Sequence, residues 1–362
     1  MPPIRALITA ILSGFSVTAA ACSQSPLDAQ IEARIDETLA DGIAGAVVLV
    51  EAGGEQHVYA RGLADRVQGT PMPQDALLRL ASVGKLYTAT VIHRLALDGQ
   101  IDLDRTAADY VAPERIAGIA NADTASLREL LNHSAGVPDY YDEAWEAQVG
   151  TTPRNTPQIT LDHIRGRSAD YAPGEGYGYS NSHYQLLGLV AEAVTGEPLG
   201  TLMARVIFAP LDLQATGFNI EDDPRNTIHG YGRLGDDTVD TFALRDNNGA
   251  DGGVMASATD TARFLNALFA SDGGLSDIGT AMLSDRLDRG HGRYRALGPL
   301  YVEHESGLSL ATHSGFIDGY VTTAVRVLSP DVTIIVHLNG SQPQLAGSLA
   351  RDLLFILAAP QD

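Results

Sequence analysis

Lysine is almost missing from this chain: Lys85 is the only one, and every other strong base among the 24 lysines and arginines is arginine. Arginine serves wherever a permanent positive charge is enough, because its guanidinium keeps its proton in proteins. A desolvated lysine can give its proton up and act as a base. Cysteine is equally scarce: Cys22 stands alone, which excludes an intrachain disulfide. Positive charge as a whole is in deficit, with a formal net charge of −21 and an isoelectric point near 4.7. That balance argues against nucleic acid and anionic membrane surfaces as partners. No tandem repeat or low-complexity tract is present, and neither H-E-x-x-H nor a His/Cys cluster suggests zinc. No metal or other cofactor is expected. A G-x-S-x-G elbow is missing too, since Gly274-Leu275-Ser276-Asp277-Ile278 fails at its last position.

The longest apolar run lies at the start. One charge, Arg5, precedes a mostly apolar stretch from Ala6 to Ala21, interrupted by Ser13 and Gly14. This reads as a secretory signal over residues 1–21, too short for a spanning helix, so the protein is expected to be exported. Cys22 directly follows the small residues Ala19-Ala20-Ala21, as at a bacterial lipoprotein site. Lipidation of Cys22 would give a periplasmic, membrane-anchored protein; plain cleavage after Ala21 is the other reading, because Ala19 stands where such sites usually carry leucine.

After a linker (22–26), Ser25-Pro26 with Leu27, Ile31, Ile35 and Leu39 predicts a capped helix. Ala44–Val50 and His57–Gly62, joined by Gly53-Gly54, predict a hairpin. A helix opens at Ser82 and closes at Asp98-Gly99. From Ile101 to about Gly249 helices and loops dominate, including an apolar helix from Ser182 to Val194. Beyond Gly252 come a helix over Thr259–Phe269, strands over Tyr320–Leu328 and Val332–Leu338, and a closing helix over Gln344–Ala358. Strands at both chain ends predict an α+β fold: an antiparallel sheet flanked by the terminal helices, with an inserted, mainly helical lobe. One domain is expected over 27–362, its α/β lobe about 27–100 and 252–362 and its helical lobe about 101–251. The cleft between the lobes is the natural ligand site.

Lys85 follows Ser82 by three residues, which on a helix puts both on one face. Ser82 then reads as a nucleophile that Lys85 helps to activate, at a helix start whose free N–H groups favour developing negative charge. The bland alternative for Ser82 is an N-cap. Two further stretches offer partners. Tyr179-Ser180-Asn181 supplies a phenol able to carry protons and an amide that donates and accepts. His313-Ser314-Gly315 supplies an imidazole and a small residue that lets a substrate lie against the backbone. Taken singly, Tyr179 also reads as loop packing and His313 as a surface histidine.

Together, and in this order, these segments resemble the penicillin-recognising serine hydrolases, in the branch of class C β-lactamases, D-alanyl-D-alanine carboxypeptidases and related esterases. That branch carries S-x-x-K, Y-x-N and K-T-G or H-x-G, here Ser82–Lys85, Tyr179–Asn181 and His313–Gly315. Leu130–Gly136, Tyr171–Gly174, Ile207–Leu211 and Gly252–Ser257 resemble its framework segments, so the likeness runs from about Leu27 to Ala358. It implies that Ser82 attacks a carbonyl and forms an acyl-enzyme, and that Lys85 takes or relays its proton. Tyr179 would protonate the leaving group and then help activate water. Asn181 would orient the acyl side, and His313 would face the substrate's far end and support Tyr179 electrostatically. Gly315 would border the substrate, and the N–H groups of Ser82 and Phe316 would form the oxyanion hole.

The resemblance also ranks substrates. His313 replaces the lysine that favours a β-lactam carboxylate, and an ordinary histidine is mostly neutral near pH 7. A small ester or a D-amino-acid peptide or amide is therefore expected ahead of a β-lactam. A second class stays open, a slow penicillin-binding sensor that keeps the fold. Asp212 stands where the family usually has glycine. His133 reads as structural, His183 as either cleft lining or lobe filling, and Tyr140 and Tyr141 as neighbours of the substrate site. The stretch 246–251 resembles a calcium loop but has its glycine misplaced and no closing glutamate, so it reads as a loop near the cleft.

Overall fold

The computed structural model describes residues 25–147, 156–220, 222–234, 237–243 and 249–359; the leader and Cys22 lie outside them. Ser25 caps helix α1 (Pro26–Ala40) by accepting the Asp28 N–H at 3.0 Å. Strands β1 (Gly45–Ala52) and β2 (Glu55–Asp65) form the expected hairpin, followed by the short β3 (Thr70–Pro71). Helix α2 (Gly84–Leu97) starts after a tight turn at Ala81–Val83. Helix α3 (Asn181–Thr195) crosses the helical lobe and stops at Gly196, whose φ of 71° few other residues tolerate. Helix α4 (Ala258–Phe269) returns the chain to the sheet. There β4 (Arg286–Asp288), β5 (Arg293–Ala296), β6 (Leu300–Glu303), β7 (Ser309–Ile317), β8 (Tyr320–Val327) and β9 (Val332–Leu338) precede the closing helix α5 (Pro343–Ala358).

The nine strands form one antiparallel sheet in the order β3-β2-β1-β9-β8-β7-β6-β5-β4. The two chain ends meet in its middle, with Val48 opposite Val336. Alternation along β1 sends Val47 and Leu49 into a core shared with Leu86 and Val91 of α2 and Phe264 of α4. Ala46, Val48 and Val50 enter a second core with Ile31 and Ile35 of α1 and Leu349 and Leu353 of α5. A sheet covered on both faces explains why its central strands are apolar at nearly every position.

Four strands, β4 to β7, depart from the sequence expectation. His313 stands inside β7, a strand with no expectation from sequence, paired with Ala324 of β8. The reason is composition: Ser-Leu-Ala-Thr-His-Ser-Gly-Phe-Ile has few of the β-branched residues that mark a strand, and β4 to β6 are short and carry arginine and tyrosine. The helical lobe also contains strands, Thr216–Phe218 pairing with Val254–Ala256, and the hairpin Tyr231–Leu234/Asp237–Asp240. Asp212 has φ of 52°, a left-handed conformation that aspartate tolerates better than most residues, which accounts for its standing in a glycine position.

Candidate active site

Ser82 is not a cap. Neither the turn at Ala81–Val83 nor α2 has a side-chain cap bond, and the Ser82 hydroxyl instead meets Lys85. The Lys85 side chain is fully buried. Its Nζ donates to Ser82 Oγ at 3.1 Å, to Asn181 Oδ1 at 2.7 Å and to the backbone oxygen of Asp251 at 2.9 Å. Three acceptors offset the cost of burying an ammonium. Once the amine is neutral it has two N–H bonds and one lone pair. Asn181 Oδ1 and the Asp251 carbonyl can only accept, so both N–H bonds go to them and the lone pair falls to the Ser82 hydroxyl. The geometry thus points the base at the nucleophile.

Asn181 keeps this orientation because of Asp139, a residue that no sequence signal marked. Asp139 accepts the Asn181 backbone N–H at 3.0 Å and its Nδ2–H at 3.1 Å, which leaves Oδ1 facing Lys85. Burial pushes the Asp139 carboxyl above its ordinary range despite these bonds. Asp139→Ala is expected to free the Asn181 amide and lower kcat roughly 10- to 100-fold, as losing hydrogen bonds to a charged group predicts. Steady-state kinetics beside a melting curve checks this; an unchanged kcat in a folded variant refutes it.

Tyr179 borders Ser82 at the cleft mouth and is 37% exposed. Lys85 Nζ lies 5.0 Å from its ring centroid. His133, read from sequence as structural, stacks on that ring at 4.4 Å from a turn where its own φ is 63°. Its Nδ1 accepts the Ser180 N–H at 3.3 Å, so the His183 Nδ1 at 3.1 Å must be the donor of the pair. Burial holds His133 well below the ordinary histidine range and His183 at about 3. Both are neutral and support the Tyr179 loop from beneath. Tyr141 lines the cleft, whereas Tyr140 is buried and donates to Asp251 Oδ2 at 2.8 Å. Asp251 also lines the cleft, at the described end of the 246–251 stretch. Among the described residues no group of His, Cys, Asp or Glu is arranged to hold a metal ion.

The third segment corrects one expectation. Along β7, Ala311, His313, Gly315 and Ile317 share the buried face, while Ser314 and Phe316 are exposed. His313 is only 5% exposed and does not line the cleft. Its Nδ1 donates to the Ser314 oxygen at 2.9 Å, while burial first and the nearby Arg295 charge second hold it well below the ordinary range. It is neutral, so it brings no positive charge to Tyr179. Gly315, on the same face, allows β7 to press on the nucleophile turn: a Cβ there would lie 2.1 Å from the Leu80 oxygen and 2.9 Å from the Ser82 nitrogen. Ile317 and Tyr320 flank a two-residue turn and form a hydrogen-bonded pair, so alternation turns the Phe316 N–H away from β8. On that side β6 ends opposite Thr312, which leaves this N–H open toward the cleft beside Ser82.

The cleft itself measures about 310 Å³ and presents Tyr141, Tyr179, Phe316 and Ile317 around Ser82. Comparison with known proteins shows the family. The family model described as Beta-lactamase matches residues 30–358. Penicillin-binding protein 4* of Bacillus subtilis (strain 168) is 25% identical over 313 residues, 82% of this chain and 68% of its own length. Esterase EstB of Burkholderia gladioli is 32% identical over 213 residues, 56% of this chain; the chain spans only 54% of that relative. Among solved structures, D-amino acid amidase from Ochrobactrum anthropi SV3 superposes with a TM-score of 0.80 at 25% identity, covering 92% of this chain and 99% of the amidase. The octameric penicillin-binding protein homologue from Pyrococcus abyssi shares the fold, with a TM-score of 0.80 at 23% identity over 90% of this chain and 77% of its own. A match across nearly the whole chain, on a fold that gathers Ser82, Lys85, Tyr179 and Asn181 at one cleft, makes this chain a member of the Beta-lactamase family and an enzyme of its serine hydrolase kind.

Proposed function

We propose that this chain is an exported hydrolase that forms an acyl-enzyme at Ser82 and acts on a small ester or a D-amino-acid-containing peptide or amide. The observation that carries the proposal is the three-way hold on Lys85 Nζ, in which Ser82 is the one partner able to donate a proton. Ser82 Oγ attacks the carbonyl as its proton passes to Lys85, and the oxyanion meets the Ser82 and Phe316 N–H groups. Tyr179 O–H then protonates the departing oxygen or nitrogen as its bond to the acyl carbon breaks. In deacylation the phenolate takes a proton from the attacking water, the bond between Ser82 Oγ and the acyl carbon breaks, and Lys85 returns its proton to Oγ. Export rests on the leader composition, and anchoring on Cys22.

The cleft suits a substrate that does not depend on a carboxylate anchor. Among the described residues its lining includes Tyr141, Phe316, Ile317 and Asp251 but no arginine, and Lys85 is buried behind Ser82. With His313 neutral, a substrate carboxylate would find no cation on β7. A nitrophenyl ester, a D-amino acid amide, a D-Ala-D-Ala peptide and a chromogenic cephalosporin should be compared by rate and by intact mass. The ester or the D-amino acid substrates are expected to turn over fastest, with an acyl adduct that disappears in Ser82→Ala. A cephalosporin turned over fastest of all would overturn the substrate ranking, and an adduct surviving Ser82→Ala would overturn the nucleophile.

A further inference from the structure

His313 is neutral and gives the site no cation, yet another cation stands nearby. Arg295 of β5 places its guanidinium carbon 5.8 Å from the Tyr179 ring centroid, and its Nη2 donates to the Tyr177 hydroxyl at 3.3 Å. The side chain is 9% exposed. Its Nε and Nη1 are buried with no hydrogen-bond partner among the described residues, and no described carboxylate pairs with it. An unpaired guanidinium in such surroundings is costly and cannot shed its charge. Among the described residues no carboxylate neutralises this arginine beside the cleft.

The groups around Tyr179 narrow what that charge can do. Lys85 approaches from α2, His133 from the turn beneath, Tyr184 from α3 with His183 behind His133, His313 from β7 and Arg295 from β5. Tyr177 lies beside it in the same loop, under the exposed Arg289 at 3.7 Å. Of the carboxylates, Asp139 is bound to Asn181, and Asp251 to Tyr140 and Gln185. The three histidines are neutral. Lys85 must lose its charge to act as a base, which leaves Arg295 as the one buried group at Tyr179, among the described residues, that stays positive throughout the cycle.

We propose that Arg295 is a positioning residue that stabilises the negative charge developing on the Tyr179 oxygen when that phenol gives its proton to the leaving group. The proposal rests on the proton-carrying role of Tyr179 given above. Arg295 touches no reacting atom; the guanidinium stays +1 while the phenol becomes a phenolate and the leaving group departs protonated.

Leaving-group dependence tests this. Nitrophenoxide departs without a proton, whereas an alkoxide needs one. In Arg295→Gln, kcat/KM for ethyl butyrate is expected to fall about 10- to 100-fold, as removal of one charge about 6 Å from the Tyr179 ring predicts. For p-nitrophenyl butyrate it should fall less than about threefold by the same reasoning. Arg295→Lys should restore most of the ethyl butyrate rate. Arg295→Met is measured in parallel as a second uncharged variant, with melting curves to identify any that lose the fold. Equal losses on both esters, no loss on either, or a lysine variant no better than glutamine would each overturn the proposal. Tyr179→Phe separates it from the reading it rests on. If that variant keeps the wild-type ethyl butyrate rate, the role of Tyr179 fails; if it collapses while Arg295→Gln does not, only Arg295 loses its part.

Discussion

Lys85→Arg is expected to lower kcat/KM about 10³-fold or more, as completely as removing the nucleophile in Ser82→Ala, although the formal charge is kept. Two physical reasons converge. Guanidinium does not release its proton, so it has no lone pair to turn toward Ser82. It is also planar and wider than an ammonium, and Lys85 sits fully buried between Ser82, Asn181 and the Asp251 carbonyl, where three directed bonds converge on one nitrogen. Acylation by a nitrophenyl ester, followed by stopped-flow absorbance and intact mass, reads the step directly. A near-wild-type acylation rate in a folded Lys85→Arg variant would show that charge alone suffices and would end the base assignment.

The second large effect comes from a residue with no functional group. Gly315→Ala is expected to lower kcat about 10²-fold, the scale on which a displacement near 1 Å acts on a catalytic constellation. The added methyl would lie 2.1 Å from the Leu80 oxygen, 2.9 Å from the Ser82 nitrogen and 3.1 Å from the Ala81 Cβ. All are backbone or rigid atoms, so either β7 retreats or the turn before Ser82 shifts. That turn has little freedom, because Ala81 already holds φ of 46°. Retreat of β7 carries the Phe316 N–H away from Ser82 and opens the proposed oxyanion hole. Kinetics and a melting curve on the same preparation distinguish the outcomes: kcat near wild type would mean that the contact is not needed for activity.

Neighbours in sequence and neighbours in space contributed differently. Ser82 and Lys85 were legible because they lie three apart on one helix and because Lys85 is unique. Tyr179 and Asn181 were legible because they adjoin the start of an apolar helix in a recognisable order. Asp139 was hidden in a turn-rich segment where aspartate is commonplace; only the approach of that turn to α3 gives it two donors from Asn181. His133 was placed correctly in its turn, but its stacking on Tyr179 depends on a loop 46 positions away by the numbering of Tyr179 and His133.

β7 shows the limit most clearly. Its mixed composition concealed the strand, and without the strand its alternation could not be read. Once His313, Gly315 and Ile317 are seen to share one face, burial of the histidine follows, and so does its neutrality. Arg295 is one of many arginines and reaches Tyr179 only because β5 and β6 extend the sheet beside β7. By itself the sequence determined which residues are proposed as nucleophile and base, the order of the motifs and the α+β layering, since these rest on local spacing, hydrophobic period and one rare residue. Only the tertiary structure decided which charged groups surround Tyr179 and which way the third segment faces, because burial and Coulombic interactions depend on distance in space rather than along the chain.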